Sequence, residues 1–170
     1  IMSLSDPLRA ALEAFKGVAL IGPRTDTKTD ELRIPDTLGP NLSGLDVTVA
    51  LTESMPPDDS IALADGGRFL HWFEHLEGGA QVFTQTTAGQ PAIMGNAHLR
   101  YLAGWPDEAT FDQIIQAACS ECGIPTVTLP DGLRIRDTAT QRFVFNYANY
   151  PQDWNGTTVA AAGVHWELLP

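Results

Sequence analysis

The stretch Val18 to Pro35, VALIGPRTDTKTDELRIP, decides how the chain is organised. It opens with four apolar residues, Val18 to Ile21, which are enough for a short buried strand. Gly22 and Pro23 end this strand, because proline has no amide hydrogen to give to a sheet ladder. The residues that follow are mostly polar or charged. We therefore predict a strand that leads into a long exposed loop, the kind of segment that often carries function.

The segment before this strand has the features of a helix. Ser5 or Asp6 can cap it, and Pro7 suits its first turn. Apolar residues follow at helical spacing: Leu8, Ala11, Leu12 and Phe15. Gly17 ends the helix, so helix and strand together predict half of an α/β unit. The strand and helix that should precede it are absent, and we therefore expect an excerpt of a longer protein.

Further along, the pattern changes to short strands. Apolar residues alternate with polar ones over residues 45–54, which predicts a strand with one solvent-facing side. Residues 68–77 fit a helix face or a strand, and the glycine pair Gly78-Gly79 before residues 80–84 favours a β-hairpin. Residues 91–94 and 98–102 predict two more strands.

The clearest helix is predicted over Asp107 to Cys122. Asp107 can cap it, Gly123 and Pro125 can end it, and its apolar residues recur on one face: Phe111, Ile114, Ile115, Ala118, Cys119 and Cys122. Beyond it, alternation over residues 133–136, 142–147 and 159–168 predicts a small antiparallel β unit. We therefore place a boundary near Leu129, with domains over residues 1–128 and 129–170.

The composition excludes several classes of protein. The chain has 170 residues, 44% of them hydrophobic, and a net charge of −11 from 21 acidic and 10 basic side chains. Such a charge repels a phosphate backbone, so we expect no nucleic-acid partner. The sequence shows neither a membrane-spanning apolar run nor a signal peptide, and we predict a cytoplasmic protein without a membrane partner.

Two short motifs suggest metal or redox chemistry, but each has a simpler interpretation. His71 to His75 spells H-x-x-E-H, a zinc-protease pattern that requires a helix. On a strand the two histidines would lie about 13 Å apart, too far to share one ion, so we predict no metal site. Cys119 and Cys122 form a C-x-x-C at the end of a predicted helix, where the dipole raises rather than lowers a thiol pKa. We therefore expect both thiols to pack in the core.

No arrangement of residues predicts catalysis or a cofactor. The sequence has no nucleophile elbow and no phosphate-binding loop, and 21 carboxylates are too many to single out an acidic pair. The four tryptophans (Trp72, Trp105, Trp154 and Trp166) can stack on sugars or serve as core or subunit-contact residues, and we favour the latter.

The loop after the first strand resembles the region that follows the barrel in glycoside hydrolase family 42 β-galactosidases. Gly22 to Thr29 and Leu32 to Pro35 match the family patterns G-P-R-[ST]-x-[ST]-K-T and L-x-I-P. Gly44 to Pro57 matches a second pattern except at its second and third residues. Trp72, Glu74 and Leu76 match a W-x-E-x-L strand, which decides the ambiguous segment.

The resemblance runs in order from Leu4 to Ala148. It departs from the family at Asn96 and His98, which replace two glycines, and its last element is the segment Arg142 to Ala148. It implies the later part of a trimerisation domain, a three-layer α/β module similar to class I glutamine amidotransferases and flavodoxins. A C-terminal β domain would begin after it.

The resemblance also implies a function for a longer parent protein. The full-length enzymes hydrolyse terminal β-galactosides with retention, through two glutamates in a barrel that these 170 residues do not contain. No residue here therefore receives a catalytic role, and we predict that the chain alone is inactive. It would mediate assembly of a homotrimer and help wall the active site, with Arg24, Lys28, Trp72 and Trp105 as candidate subunit contacts. The alternative is a free-standing carbohydrate-binding or protein-interaction module without a barrel.

Overall fold

The computed structural model describes residues 3–169, so Ile1, Met2 and Pro170 lie outside it. The chain divides into two compact units, one ending at Pro125 and the other beginning at Thr126. The first contains α1 (Asp6–Ala14), β1 (Ala19–Ile21), β2 (Thr48–Ser54), β3 (Ser60–Ala62), β4 (Arg68–Glu77), β5 (Gln81–Gln85), β6 (Pro91–Gly95), β7 (Leu99–Leu102), β8 (Gly104–Pro106) and α2 (Glu108–Glu121). The second contains β9 (Leu133–Asp137), β10 (Gln141–Asn146), β11 (Gln152–Trp154), β12 (Thr157–Val159) and β13 (Val164–Leu168). Within residues 3–169, the predicted mixture of helices and strands is confirmed as a β-rich fold with two helices.

Two sheets share the core of the first unit. One has the strand order β1-β7-β6-β5, in which only β1 and β7 run parallel. In the other, β4 is central and pairs with β2, β3 and β8. Phe69 and Phe73 from β4 are fully buried with Tyr101 from β7, so the two sheets are held together by one hydrophobic cluster.

The predicted hairpin over residues 68–84 is wrong. Both strands form, but β4 pairs within one sheet and β5 pairs with β6 in the other. Gly78 has a φ of 129°, and the backbone of Asp46 lies close against it. The glycine pair therefore carries the chain from one sheet to the other past the segment before β2, instead of closing a tight turn.

The predicted strand over residues 45–54 forms from Thr48, but its alternation does not persist. Val47 and Val49 are buried, whereas Leu51 is 52% exposed. The pairing of β2 with β4 shifts register between Val49 and Leu51, as at a β-bulge. One extra residue turns the following side chains to the other face, so Leu51 points away from the core.

Both predicted helices form, and their apolar faces are less buried than expected. In α1, Leu8 and Leu12 pack against the core while Phe15 is 50% exposed. In α2, Ala118 is buried, whereas two of the predicted core residues, Phe111 and Ile115, are exposed. Among residues 3–169, no helix has the length and apolar character needed to cross a membrane.

The second unit is antiparallel throughout its pairing, as predicted. β10 lies between β13 and β9, and β11 pairs with β12 as a separate ribbon. Leu133, Val144 and Val159 form its small core, with Trp154 packed against them.

The start of α2 depends on one carboxylate. Asp107 occupies the N-cap position, accepts a hydrogen bond from the Thr110 amide at 2.9 Å and lies 2.6 Å from the Arg68 guanidinium. The Thr110 and Arg68 hydrogen bonds lower the pKa of Asp107. The cap therefore joins α2 to the first residue of β4.

We expect Asp107→Ala to lower the free energy of unfolding by about 1 kcal/mol at pH 7, because the cap is lost. Because the pKa of Asp107 is lowered in the folded state, its carboxylate stabilises the fold at pH values above the unfolded-state pKa. This contribution is lost as pH falls through the folded-state pKa. The difference from wild type should therefore shrink at pH 3 when measured by urea denaturation with far-UV circular dichroism.

Asp112→Ala is the matched control, since Asp112 is an exposed acid on the same helix. It should change stability by less than about 0.5 kcal/mol. Equal effects of the two substitutions would contradict the assigned role of the cap.

Candidate functional site

The loop after β1 is ordered and contains strained backbone. Arg24 and Asp26 have φ values of 60° and 61°, a region that residues other than glycine rarely adopt. Thr25 between them is buried, and its hydroxyl donates to the carbonyl of Gly22 at 2.9 Å. Such conformations persist only where surrounding contacts impose them, and they are enriched at functional sites. The loop is therefore the first candidate for a site.

Glu74 on β4 imposes the conformation of Arg24. Its carboxylate is fully buried and accepts the Arg24 backbone amide at 3.1 Å and the Tyr101 hydroxyl at 2.7 Å. Burial raises the pKa of Glu74, while the hydrogen bonds from Tyr101 and Arg24 oppose that rise. Burial and the nearby carboxylate raise the pKa of the Tyr101 phenol as well. The carboxylate thus joins β4, β7 and the loop.

Asp26 holds the other side of the loop. Its carboxylate accepts hydrogen bonds from the Leu4 amide at 3.1 Å, the Arg9 guanidinium at 3.0 Å and the Asn41 amide group at 3.2 Å. These partners belong to the start of the chain, to α1 and to the connection before β2. A buried carboxylate with three donors compensates for much of its desolvation cost, so the contacts of Asp26 and Glu74 together determine the path of the loop.

Above the loop lies an open cavity of about 370 Å³. Its lining comprises Arg24, Thr27, Lys28, Ile34, Leu38, Thr52, Glu53, Ser54, Trp72 and Glu74. The Arg24 guanidinium carbon lies 5.3 Å from the centre of the Trp72 ring, within the range of a cation–π contact. Three of the four residues predicted as subunit contacts, Arg24, Lys28 and Trp72, therefore meet at one cavity.

The fourth predicted residue, Trp105, lies at a different cavity. This one measures about 460 Å³ and is lined by Leu20, Gly22, Pro23, Leu102, Trp105, Pro106, Glu108 and Phe111. Its lining is mostly apolar, and Trp105 is 54% exposed. The two cavities lie on consecutive parts of the loop, because Pro23 lines one and Arg24 the other.

The chemistry of the first cavity is recognition rather than bond cleavage. Both oxygens of Glu74 already accept hydrogen bonds, so its role is to hold the loop. Glu53 lies 3.1 Å from a ring nitrogen of His75. The guanidinium of Arg24 and the ammonium of Lys28, beside an indole, can instead bind a carboxylate or an aromatic side chain from another surface.

Sequence reasoning missed the residues that organise this loop. The family pattern contains Glu74 without giving it a role, and the sequence alone does not single out Tyr101 or Asp26. The available signal was a glutamate inside an apolar strand, RFLHWFEHLE, because a carboxylate in such a strand requires buried donors. The sequence does not identify those donors, because they lie 27 and 50 residues from Glu74 along the chain.

The two short motifs also have clear places in the structure. His71 and His75 lie on strand β4, as predicted, with His71 at a register shift and a φ of 70°. Among the described residues, no three histidine, cysteine or acidic side chains form a group that could hold a metal ion. Cys119 is half-buried, but the prediction that both thiols pack in the core is wrong, because Cys122 is exposed at the end of α2.

We expect Glu74→Gln to remove a pH-dependent part of the stability. The pKa of Glu74 is raised in the folded state. Its contribution to the free energy of unfolding is therefore complete at low pH and is lost as pH rises through the folded-state pKa. Wild type should therefore gain more stability than Glu74→Gln between pH 7 and pH 5 in urea denaturation.

Tyr101→Phe provides the companion test, because it removes a hydrogen bond that lowers the pKa of Glu74. The pH-dependent window should then move to higher pH. A constant difference between wild type and Glu74→Gln over this range would show that the carboxyl group does not titrate there.

Comparisons with known proteins bear on the whole chain. No protein-family model matches it. A β-galactosidase of Thermus thermophilus is 36% identical over 146 residues, which cover 81% of this chain and 22% of the relative. The chain therefore spans about a fifth of the length of that relative.

Solved structures give the same result for the fold. A β-galactosidase from the psychrophilic Marinomonas ef1 matches 97% of the chain and 27% of its own, with a TM-score of 0.88 and 27% identity. Gan42B, a GH42 β-galactosidase from G. stearothermophilus, matches 97% of the chain and 30% of its own at a TM-score of 0.75 and 14% identity. The resemblance to β-galactosidases is thus confirmed over one part of their length, and the likeness to the family 42 enzyme Gan42B, at 14% identity, is a likeness of fold.

Proposed function

We propose that the chain is a non-catalytic C-terminal region of a β-galactosidase that hydrolyses terminal β-galactosides with retention. The observation that carries this is the 36% identity to a protein named as a β-galactosidase, over a segment that makes up 22% of that protein. The catalytic barrel of the parent would lie outside the 170 residues. A cytoplasmic location of the parent is part of the same proposal.

In this function, residues 1–128 act as the later part of a trimerisation domain and residues 129–170 as a C-terminal β domain. The first would be an incomplete three-layer module similar to class I glutamine amidotransferases and flavodoxins. The parallel pairing of β1 with β7 and the two helices are compatible with such a module. Self-association would produce a homotrimer whose subunits together wall the active sites.

The subunit contact is assigned to the loop after β1. Glu74 and Asp26 hold its backbone, so the Arg24 and Lys28 side chains project from a defined surface. In a chain with a net charge of −11, two cations beside one cavity are complementary to the acidic surface of a second copy. A contact made with a preformed loop loses little conformational entropy, which favours association.

We expect Arg24→Ala to weaken assembly of the full-length enzyme and to lower its turnover of a β-galactoside. Losing an arginine from a desolvated contact costs about 2–5 kcal/mol, whereas an exposed ion pair is worth about 0–1 kcal/mol. Sedimentation velocity over a dilution series, paired with turnover at each concentration, measures both effects.

Arg33→Ala is the matched control, since Arg33 lies in the same loop with its side chain 80% exposed beside Glu31. It should leave assembly and turnover unchanged. An Arg24→Ala enzyme that remains trimeric on dilution, with unaltered kinetics, would contradict a role of this loop in assembly.

We also expect the 170-residue chain alone to leave an aryl β-galactoside intact. Both Glu74 oxygens are engaged in holding the loop, and the glutamates of the family act from a barrel outside this segment. Release of the aryl group by repurified chain, abolished by substituting one of its carboxylates, would refute the non-catalytic assignment.

A further inference from the structure

A two-residue turn joins the strands β11 and β12 in the second unit. Trp154 pairs with Thr157, so Asn155 and Gly156 alone form the turn. Their φ values are 48° and 81°. Positive φ at both central residues defines a type I′ turn, for which Asn-Gly is a strongly preferred sequence. This is the one place in the chain where glycine follows asparagine.

The sequence that suits this turn is also chemically labile, because asparagine can lose its side-chain amide. The backbone nitrogen of Gly156 attacks Cγ of Asn155, so that an N–Cγ bond forms while the Cγ–Nδ2 bond breaks and ammonia leaves with the amide proton. Water then opens the resulting succinimide at either carbonyl, which gives aspartate or isoaspartate. In total one water is consumed and one ammonia is released. Glycine favours the attack, since it has no Cβ to hinder the nitrogen.

In the folded turn the attacking nitrogen is already engaged. The Gly156 amide donates a hydrogen bond to the Asp153 carboxylate at 3.1 Å. The nitrogen attacks only after hydroxide has removed its proton, and a hydrogen bond made by the protonated form of a group disfavours that loss. The negative carboxylate also opposes a second negative charge on the nitrogen beside it. The contact with Asp153 therefore slows the step that starts the reaction.

Packing gives the turn no comparable protection. Asn155 and Gly156 are both exposed, so water reaches the site. Apart from the adjacent residues, a methyl group at Gly156 would have no neighbour within 4 Å. The backbone conformation and the hydrogen bond to Asp153 are therefore the features of the turn that restrain the reaction.

We propose that Asn155 is a site of spontaneous deamidation and that Asp153 slows this modification by binding the Gly156 amide. Water is the only co-reactant, and no enzyme, metal or partner takes part. The attacking atom, the leaving group and the protecting carboxylate all belong to four consecutive residues. The proposal is therefore independent of the proposed β-galactosidase function.

The modification would affect the core of the second unit. An isoaspartate lengthens the backbone by one methylene, which is incompatible with a two-residue type I′ turn and with the register of the flanking strands. Those strands carry Trp154 and Val159, and Val159 is 1% exposed within the small core on which Trp154 packs. The product also adds one negative charge to a chain whose net charge is already −11.

The test is incubation of the 170-residue chain at mildly alkaline pH, with peptide mapping by mass spectrometry to measure aspartate and isoaspartate at Asn155 over time. Asp153→Ala should deamidate about fivefold faster than wild type, which is the effect on a rate of removing one hydrogen bond of ordinary net strength. The wild-type chain unfolded in urea should react fastest, because it has neither the hydrogen bond nor the turn.

Thr158→Ala is the matched control, because Thr158 is exposed and lies directly opposite Asp153 in the ribbon without contacting the Gly156 amide. It should deamidate at the wild-type rate, and circular dichroism should show that both variants are folded. Asn149 serves as an internal control in each sample, since it is also exposed but precedes Tyr150, whose side chain hinders the attack. It should remain unmodified.

Three results would overturn the proposal. Equal rates for the folded and the urea-unfolded wild-type chain would show that the turn does not protect Asn155. An Asp153→Ala rate no higher than that of wild type would exclude the hydrogen bond as the cause of the protection. Equal acceleration in Asp153→Ala and Thr158→Ala would assign the protection to the rigidity of the ribbon instead of the carboxylate.

Discussion

The structure of the first unit depends on the burial of one carboxylate. Glu74 has no solvent exposure, so its charge must be compensated by donors within the protein. Tyr101 provides a hydroxyl from the neighbouring sheet, and Arg24 provides a backbone amide from the loop. Because the amide must point inward, Arg24 takes a φ of 60° and its side chain points outward, over Trp72. The need to compensate the buried Glu74 carboxylate thereby determines where the Arg24 side chain lies on the surface.

Asp26 extends this relation to the rest of the loop. It accepts hydrogen bonds from the start of the chain, from α1 and from the connection before β2, so residues distant in sequence support the strained conformation of the loop. Removal of one donor would leave a buried acceptor without its partner, which usually costs more than the hydrogen bond itself contributes. A loop held in this way is suited to binding, because its ordering cost has been met during folding. The chain is similar to one part of proteins named β-galactosidases, and in the proposed function this preformed surface belongs to a segment of such an enzyme.

The sequence is informative wherever local chemistry decides the structure. Gly22 and Pro23 follow the end of β1, Asp107 caps the start of α2, and Gly123 follows the end of α2. The structure contains all three of these predicted boundaries. The pairing of strands that are distant in sequence cannot be predicted from such local signals. A glycine pair is compatible both with a hairpin and with the passage between sheets that Gly78 makes, and the single extra residue at the bulge in β2 has no sequence signature. The partners of Glu74 were also inaccessible, since 27 residues separate it from Tyr101 and 50 from Arg24. Choosing those partners requires the two sheets to be placed first.

Periodicity has one further limit, which explains the surfaces of both units. An apolar face predicts that its side chains will be covered, but it does not identify the segment or the partner that covers them. In α2 the predicted face holds Ala118 inside while Phe111 remains open beside Trp105, and in the second unit Tyr147 and Trp166 are 71% and 55% exposed. Exposed apolar residues that obey an internal pattern are most simply explained by a partner outside the chain, because an isolated domain has no reason to keep them. The two units differ in what they offer such a partner. The first presents Arg24 and Lys28 beside a cavity, on a loop held by buried carboxylates, and the second presents aromatic rings near Arg134 and Arg136, which form no ion pair with an acidic side chain within residues 3–169.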